Sequence, residues 1–281
     1  MYYYILDSHN IPQKDFERNQ IELQTLLTEF KIHGELARIT PLRGIPDLVD
    51  TAASRGAKTL VVCGTDETFH QVLAVVKDRD FTLAFIPFIG GTQLGRIFGM
   101  DDLATSVRTL ASRRTEKIDA AKINGMLFLS YLELGIGVQT GKKINAWSLM
   151  KLFNNSAINL KLRIDDSYNI SSKVMGGLLV NTRGTFAGTD SAVGNPQDSF
   201  LDLLLIEKLS KLSIFRNKQA ILTGCYEKVS GATAIRCKKV EFLEPLNLPV
   251  YVDGREITRA PAVAEILPGN LRMIVGKNRT F

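Results

Sequence analysis

Residues 60–76 read LVVCGTDETFHQVLAVV. The apolar run from Thr59 to Cys63 ends at Gly64, and Phe69, Val72, Leu73 and Val76 then recur at helical spacing. That pattern predicts a buried strand turning tightly into an amphipathic helix. A glycine at such a junction lets the backbone close in on a ligand, and the N–H groups of the first helical turn favour an anion, typically phosphate. Asp66 would stand at the lip of that site. On this stretch alone the plainer reading is an ordinary βα turn, with Asp66 or Thr68 as the helix N-cap.

A second stretch of the same kind follows. Residues 86–99 read IPFIGGTQLGRIFG, so Gly90, Gly91 and Thr92 come just ahead of a short helix. Two such turns, from the third and fourth strands, would lie side by side at the carboxyl edge of a parallel sheet, where open α/β folds bind ligands. Upstream, strands are expected at Tyr2 to Leu6 and Leu36 to Ile39, with a helix of about 17 residues starting at Asp15 and stopped by Gly34, and another from Ile45 to Ser54. A strand from Phe81 to Pro87 and a helix from Asp102 to Ser112 complete the series. Strand and helix thus alternate four times before Thr115, the signature of a parallel sheet covered on both faces.

Beyond Thr115 the segments are short and mostly alternating. Strands are expected at 117–123, 126–134, 159–165, 168–171, 174–181, 200–206, 237–243 and 249–252. Asn124-Gly125 between two apolar runs predicts a hairpin, and Asp165-Asp166-Ser167 predicts a turn. Helices are expected only at Asn145 to Phe153 and Lys208 to Leu222. Residues 250–257, VYVDGREI, carry Asp253 at a strand end; alone this is another hairpin turn, and it gains interest only if Asp253 faces the two glycine loops. The outline is an α/β domain over 1–114, completed by 270–281, and a β-rich domain over 115–269. Ligands of two-domain proteins commonly bind between the domains.

Composition excludes several classes. Hydrophobic residues make up 45% and charged residues 23% of the 281, as in a globular protein rather than a disordered one. No apolar run reaches the roughly 18 residues of a membrane span, and the N-terminus does not read as a signal peptide. Three scattered cysteines suggest reduced thiols in the cytoplasm rather than disulfides or zinc. The net charge of +6 favours anionic partners, yet no dense basic stripe with stacking aromatics points to nucleic acid. A homodimer is left open.

In order and spacing these elements resemble the diacylglycerol kinase catalytic family, which includes bacterial soluble lipid kinases and sphingosine kinases. Its G-G-D-G-T motif is matched by Gly64, Thr65, Asp66, Glu67 and Thr68, and its P-L-G-T-x-N-D-F-A-R motif by Pro87 to Arg96. Asn181, Gly184, Gly188, Pro196 and Asp198 to Asp202 resemble its N…GG…P…D-G-x-L-D region, and Val252-Asp253-Gly254 its V-D-G-E. The resemblance implies that 1–114 is a nucleotide-binding α/β domain with a parallel sheet and 115–269 a β-sandwich domain, with ATP and Mg2+ as cofactors and a lipid alcohol at a membrane surface as acceptor. It further implies that Gly64, Thr65, Thr68, Gly90, Gly91 and Thr92 hold the nucleotide, that Asp66 acts near the metal, that Asp253 is the base, and that Asp198 borders a structural magnesium.

The motifs also depart from the family. Glu67 and Thr65 replace glycines, Arg255 replaces the glutamate of V-D-G-E, Thr92 and Gln93 stand at the Asn and Asp of the second motif, and Asp7-Ser8 replaces Asn-Pro after the first strand. Two readings follow: an ATP-dependent lipid kinase, or a catalytically impaired relative that binds nucleotide or lipid for regulation. A nicotinamide-nucleotide kinase, whose family shares G-G-D-G, fits the 87–96 loop and the long β-rich half less well.

Overall fold

The computed structural model describes residues 1–76, 79–135, 157–182, 185–186, 189–190, 193–223, 225–252 and 255–281. The chain divides into two compact units, Met1–Ile118 with Gly269–Phe281, and Asp119–Pro268.

In the first unit, β1 (Tyr2–Leu6), β2 (Gly34–Arg38), β3 (Thr59–Gly64) and β4 (Thr82–Pro87) alternate with α1 (Gln13–Glu29), α2 (Ile45–Ser54) and α3 (Asp66–Val76). The order across the sheet is β2-β1-β3-β4, every pair parallel. Residues Arg272 and Met273 of the last strand extend it in parallel beyond β4. All five residues of β1 are buried, and so are five of the six in both β3 and β4, because helices cover both faces. Phe69 of α3 is fully buried and meets Phe85 of β4 edge-on at 5.5 Å, which holds the helix to the sheet behind the β3 turn. After β4 come α4 (Gln93–Phe98) and α5 (Leu103–Ser112), the latter capped by Asp102, whose Oδ1 accepts the Thr105 N–H at 2.8 Å.

The second unit is built from antiparallel strands. It comprises β5 (Thr115–Ile123), which begins in the first unit, β6 (Met126–Phe128), β7 (Tyr131–Leu134), β8 (Ile158–Ile164), β9 (Tyr168–Val180), the two-residue pair β10 (Thr185–Phe186) and β11 (Thr189–Asp190), and β12 (Leu201–Glu207). It continues through β13 (Ala232–Cys237), β14 (Lys239–Glu244), β15 (Pro249–Val252), β16 (Arg255–Arg259) and β17 (Ala262–Ile274), which runs on into the first unit. The main order is β16-β15-β7-β9-β8-β14-β17, with β12 on β9 and β13 on β12. The Asn124-Gly125 hairpin forms as expected, with φ of 46° and 85° and Ile123 opposite Met126.

Several boundaries differ from the sequence reading. The expected strand 126–134 is broken at Leu129-Ser130, whereas 168–171 and 174–181 form one strand. The expected helix 208–222 is two short ones, α6 (Lys211–Arg216) and α7 (Lys218–Thr223), because Asn217 turns its amide onto Ser213 O and Ser230 Oγ, both at 2.8 Å. The helix expected at 145–153 lies outside the described residues. β12 reads as a nearly unbroken apolar run because both its faces are covered. Leu201, Leu203 and Leu205 join a core with Leu132, Leu179 and Phe242, while Leu204 and Ile206 meet Ile214 and Ile221 of α6 and α7.

All three cysteines are buried, and none forms a disulfide. Burial pushes the Cys63 thiol up, and burial with Asp165 and Asp202 nearby pushes Cys237 up to about 12. A thiol held protonated is a poor nucleophile. Because all three are also buried, no thiol of the native protein should react rapidly with Ellman's reagent at mildly alkaline pH, and all three should react after denaturation; rapid native labelling of Cys63 would contradict this packing.

Candidate functional site

The carboxyl ends of β1, β3 and β4 are joined by side-chain hydrogen bonds. Thr68, in the first turn of α3, is buried and donates from its Oγ1 to Asp7 Oδ2 at 2.7 Å. Asp7 follows β1, and its Oδ1 accepts the His9 N–H at 2.8 Å. Thr65 caps α3, its Oγ1 accepting the Thr68 N–H at 3.3 Å. A Cβ at position 64 would come within 2.8 Å of Thr68 Oγ1 and 3.3 Å of Asp7 Cβ, so the glycine is required by the protein's own packing at this crossing.

Asp66 reaches across to the next turn. Its Oδ2 accepts the Gln93 N–H at 2.8 Å and its Oδ1 the Leu94 N–H at 3.2 Å. Thr92 caps the same helix, its Oγ1 accepting the Gly95 N–H at 3.1 Å. The first turn of a helix leaves its N–H groups without intrahelical acceptors; in α4 Asp66 supplies two acceptors and Thr92 a third. The loop is held further by Asn19, whose Nδ2 donates to Phe88 O at 2.7 Å, and by Arg96, whose Nη2 donates to Gly91 O at 2.9 Å. Gly90 and Gly91 are exposed, and a Cβ on Gly90 would meet nothing within 4 Å. The expected nucleotide-binding residues Gly64, Thr65, Thr68, Gly90, Gly91 and Thr92 thus lie at one sheet edge with Asp66, expected near the metal. Glu67 accepts from Gln71 Nε2 at 3.1 Å along α3. Asp253 and Gly254 lie outside the described residues, as do Gly184 and Gly188; the flanking Val252 and Arg255 pair between β15 and β16.

Asp198 belongs to a second cluster, in the other unit. Its Oδ1 accepts the Phe200 N–H at 3.0 Å, and its Oδ2 pairs with Arg236. Asp202 Oδ2 accepts the Gly194 N–H at 2.7 Å, and Asp119 Oδ2 accepts the Ser199 N–H at 2.7 Å. Ser199 stands at the glycine of D-G-x-L-D with φ of 64°, a left-handed conformation that glycine adopts without strain. Among the described residues, no group of three or more His, Cys, Asp or Glu side chains could hold a metal. Magnesium needs less, commonly one or two carboxylates with substrate phosphates and waters. Of the two carboxylates expected beside magnesium, Asp66 accepts the N–H groups that open α4 and Asp198 faces the Arg236 guanidinium.

Sequence reasoning undervalued Asp7, Asn19 and Arg96. The signal for Asp7 was its place at the end of β1, where the family has Asn-Pro. Asn19 lies on a long helix with nothing local to mark it.

Comparison with known proteins agrees with this architecture. The family model described as "Diacylglycerol kinase catalytic domain" matches residues 11–123, and "YegS C-terminal NAD kinase beta sandwich-like domain" matches residues 143–275. The chain thus carries a domain of the diacylglycerol kinase catalytic family followed by a YegS-type β-sandwich-like domain. The α/β domain and β-sandwich-like domain expected of that family are both present. A Bacillus subtilis (strain 168) relative named "Putative lipid kinase YtlR" is 22% identical over 292 residues, spanning 93% of this chain and 92% of its own. Two solved structures from Bacillus anthracis str. Sterne, each named "putative diacylglycerol kinase", share the fold. One has a TM-score of 0.82 at 18% identity, covering 99% of this chain and 96% of its own. The other has 0.78 at 17%, covering 99% and 98%. The domain match and these relatives mark it as a lipid kinase-like protein. No helix among its described residues is long and apolar enough to cross a membrane.

Two stability changes follow. Asp66→Ala should cost about 1 to 2 kcal/mol by releasing two helix-start donors, read as a lower denaturation midpoint with an unchanged slope; no change would mean the carboxylate does not hold the loop. Ser199→Gly should stabilise by up to about 1 kcal/mol by relieving the left-handed serine, whereas a loss of stability would contradict the backbone geometry at 199.

Proposed function

We propose that the protein transfers the γ-phosphoryl group of ATP to the hydroxyl of a diacylglycerol or related lipid. The observation that carries this reading is the Asp66 bridge, which unites the two glycine-bearing turns at the carboxyl edge of one parallel sheet. Open α/β sheets bind ligands at that edge, and the exposed Gly90 and Gly91 leave their backbone approachable.

The roles divide by position. Gly90, Gly91 and Thr92 would present backbone to the phosphates. Gly64, Thr65 and Thr68 keep the preceding turn tight against Asp7, and Asp66 holds the second loop in place. Magnesium, when bound with ATP, would meet Asp66 and neutralise charge on the phosphate oxygens. In the transfer itself the lipid hydroxyl oxygen forms a bond to the γ-phosphorus, the bond to the bridging oxygen breaks and ADP leaves. The hydroxyl proton passes to a carboxylate, and we assign that role to Asp253.

The second reading is a relative that binds nucleotide or lipid without transfer. It draws support from Asp66, whose negative carboxylate sits on the N–H groups at the start of α4, and from Glu67 one residue on. A like charge about 4 Å from a phosphate costs about 1 to 4 kcal/mol, depending on the effective dielectric.

Incubation with labelled ATP, magnesium and a lipid extract separates the two. The kinase reading predicts label in a lipid product, reduced about a hundredfold or more by Asp253→Asn. Absence of label while ATP still raises the melting temperature would overturn it in favour of the second reading. Absence of both would overturn both.

A further inference from the structure

We infer that the segment carrying α6 and α7 is the surface by which the protein docks on an anionic lipid bilayer, an inference that rests on the lipid-acceptor reading above. Residues 208–226 read KLSKLSIFRNKQAILTGCY, with four cations, Lys208, Lys211, Arg216 and Lys218, and no carboxylate between Glu207 and Glu227. All four cations are exposed, and none is paired with a carboxylate among the described residues.

The segment is fastened on one side and bare on the other. Ile214 and Ile221 are buried with Tyr226 and Val229 against Leu204 and Ile206. Asn217 fixes the break between the helices through Ser213 and Ser230, its Oδ1 also accepting the Ser230 N–H at 3.1 Å. Leu212 and Phe215, one helical turn apart, are instead 59% and 62% exposed. Lys218 Nζ lies 4.7 Å from the centre of the Phe215 ring, so cation and aromatic share one patch.

Two apolar side chains offer far less than the roughly 800 Å² per partner of a stable protein interface. They suit shallow insertion at headgroup depth, where apolar burial and attraction to anionic lipid act together. The complementary charge comes from the bilayer, because a cation near an anionic surface strengthens binding about fivefold.

Co-sedimentation with vesicles of phosphatidylcholine alone and of phosphatidylcholine with phosphatidylglycerol, without ATP, tests this. The protein should bind the anionic vesicles, more weakly at high salt. Leu212→Ser with Phe215→Ser, and separately Lys211→Glu with Arg216→Glu, should each lower the bound fraction about tenfold or more. Phe215→Trp should keep binding and add a blue-shifted emission to that of the single native tryptophan. Equal binding by wild type and both double variants, or no binding to anionic vesicles, overturns the proposal; so does a loss of self-association or of a protein partner as the only effect of the variants. Transfer of label to a dissolved short-chain diacylglycerol, measured in parallel, should be unchanged in the double variants. If no acceptor is labelled at all, the kinase reading falls while the vesicle result still decides the docking surface.

Discussion

The first unit depends on one constraint: the N–H groups that open a helix must find acceptors, and here those of α4 find them in the preceding βα turn. Asp66 accepts from Gln93 and Leu94, and Thr92 accepts from Gly95. A six-residue helix has little intrinsic stability in water, so its position is set by tertiary bonds. Because Thr68 of the same turn donates to Asp7, the ends of β1, β3 and β4 form one bonded edge. The glycine at 64 follows from that closeness. It admits the Thr68 hydroxyl and the Asp7 side chain where any Cβ would collide.

The second unit solves a different problem. Strands β9 and β12 bury side chains on both faces, so the face away from the main core needs a cover. The short helices α6 and α7 provide it through Ile214 and Ile221, which leaves their outer side free to carry Leu212, Phe215 and the cations. Nearby, Arg236 faces Asp198 and approaches Asp202 to 4.0 Å, while its guanidinium lies 5.1 Å from the Phe200 ring centre. The 194–202 turn is thus held by a protein cation and by backbone donors.

Much of this was legible in the chain. Continuous apolar runs at 2–6, 59–63 and 82–87 separated by helical periods lead to a parallel sheet, and Asn124-Gly125 to a hairpin, because both rest on local chemistry. The strands β13 and β16 escaped notice because their residues are largely polar or half-exposed and carry weak alternation. Sequence pattern alone makes Asp66 either a phosphate-side carboxylate or the cap of its own helix, yet it caps a helix 27 residues away. Thr68 finds its acceptor 61 residues earlier. Local pattern cannot reveal pairings of that range; the fold brings the residues together first.

The central claim is that the 64–68 and 90–96 turns act as a single polyphosphate-binding edge. Hydrogen exchange with and without ATP and magnesium tests it most directly, followed by mass spectrometry of peptides spanning these two turns. The account predicts that both become protected together, at the same nucleotide concentration, while the rest of the first unit changes little. Protection elsewhere with these two peptides unaltered, or protection of only one of them, would contradict it.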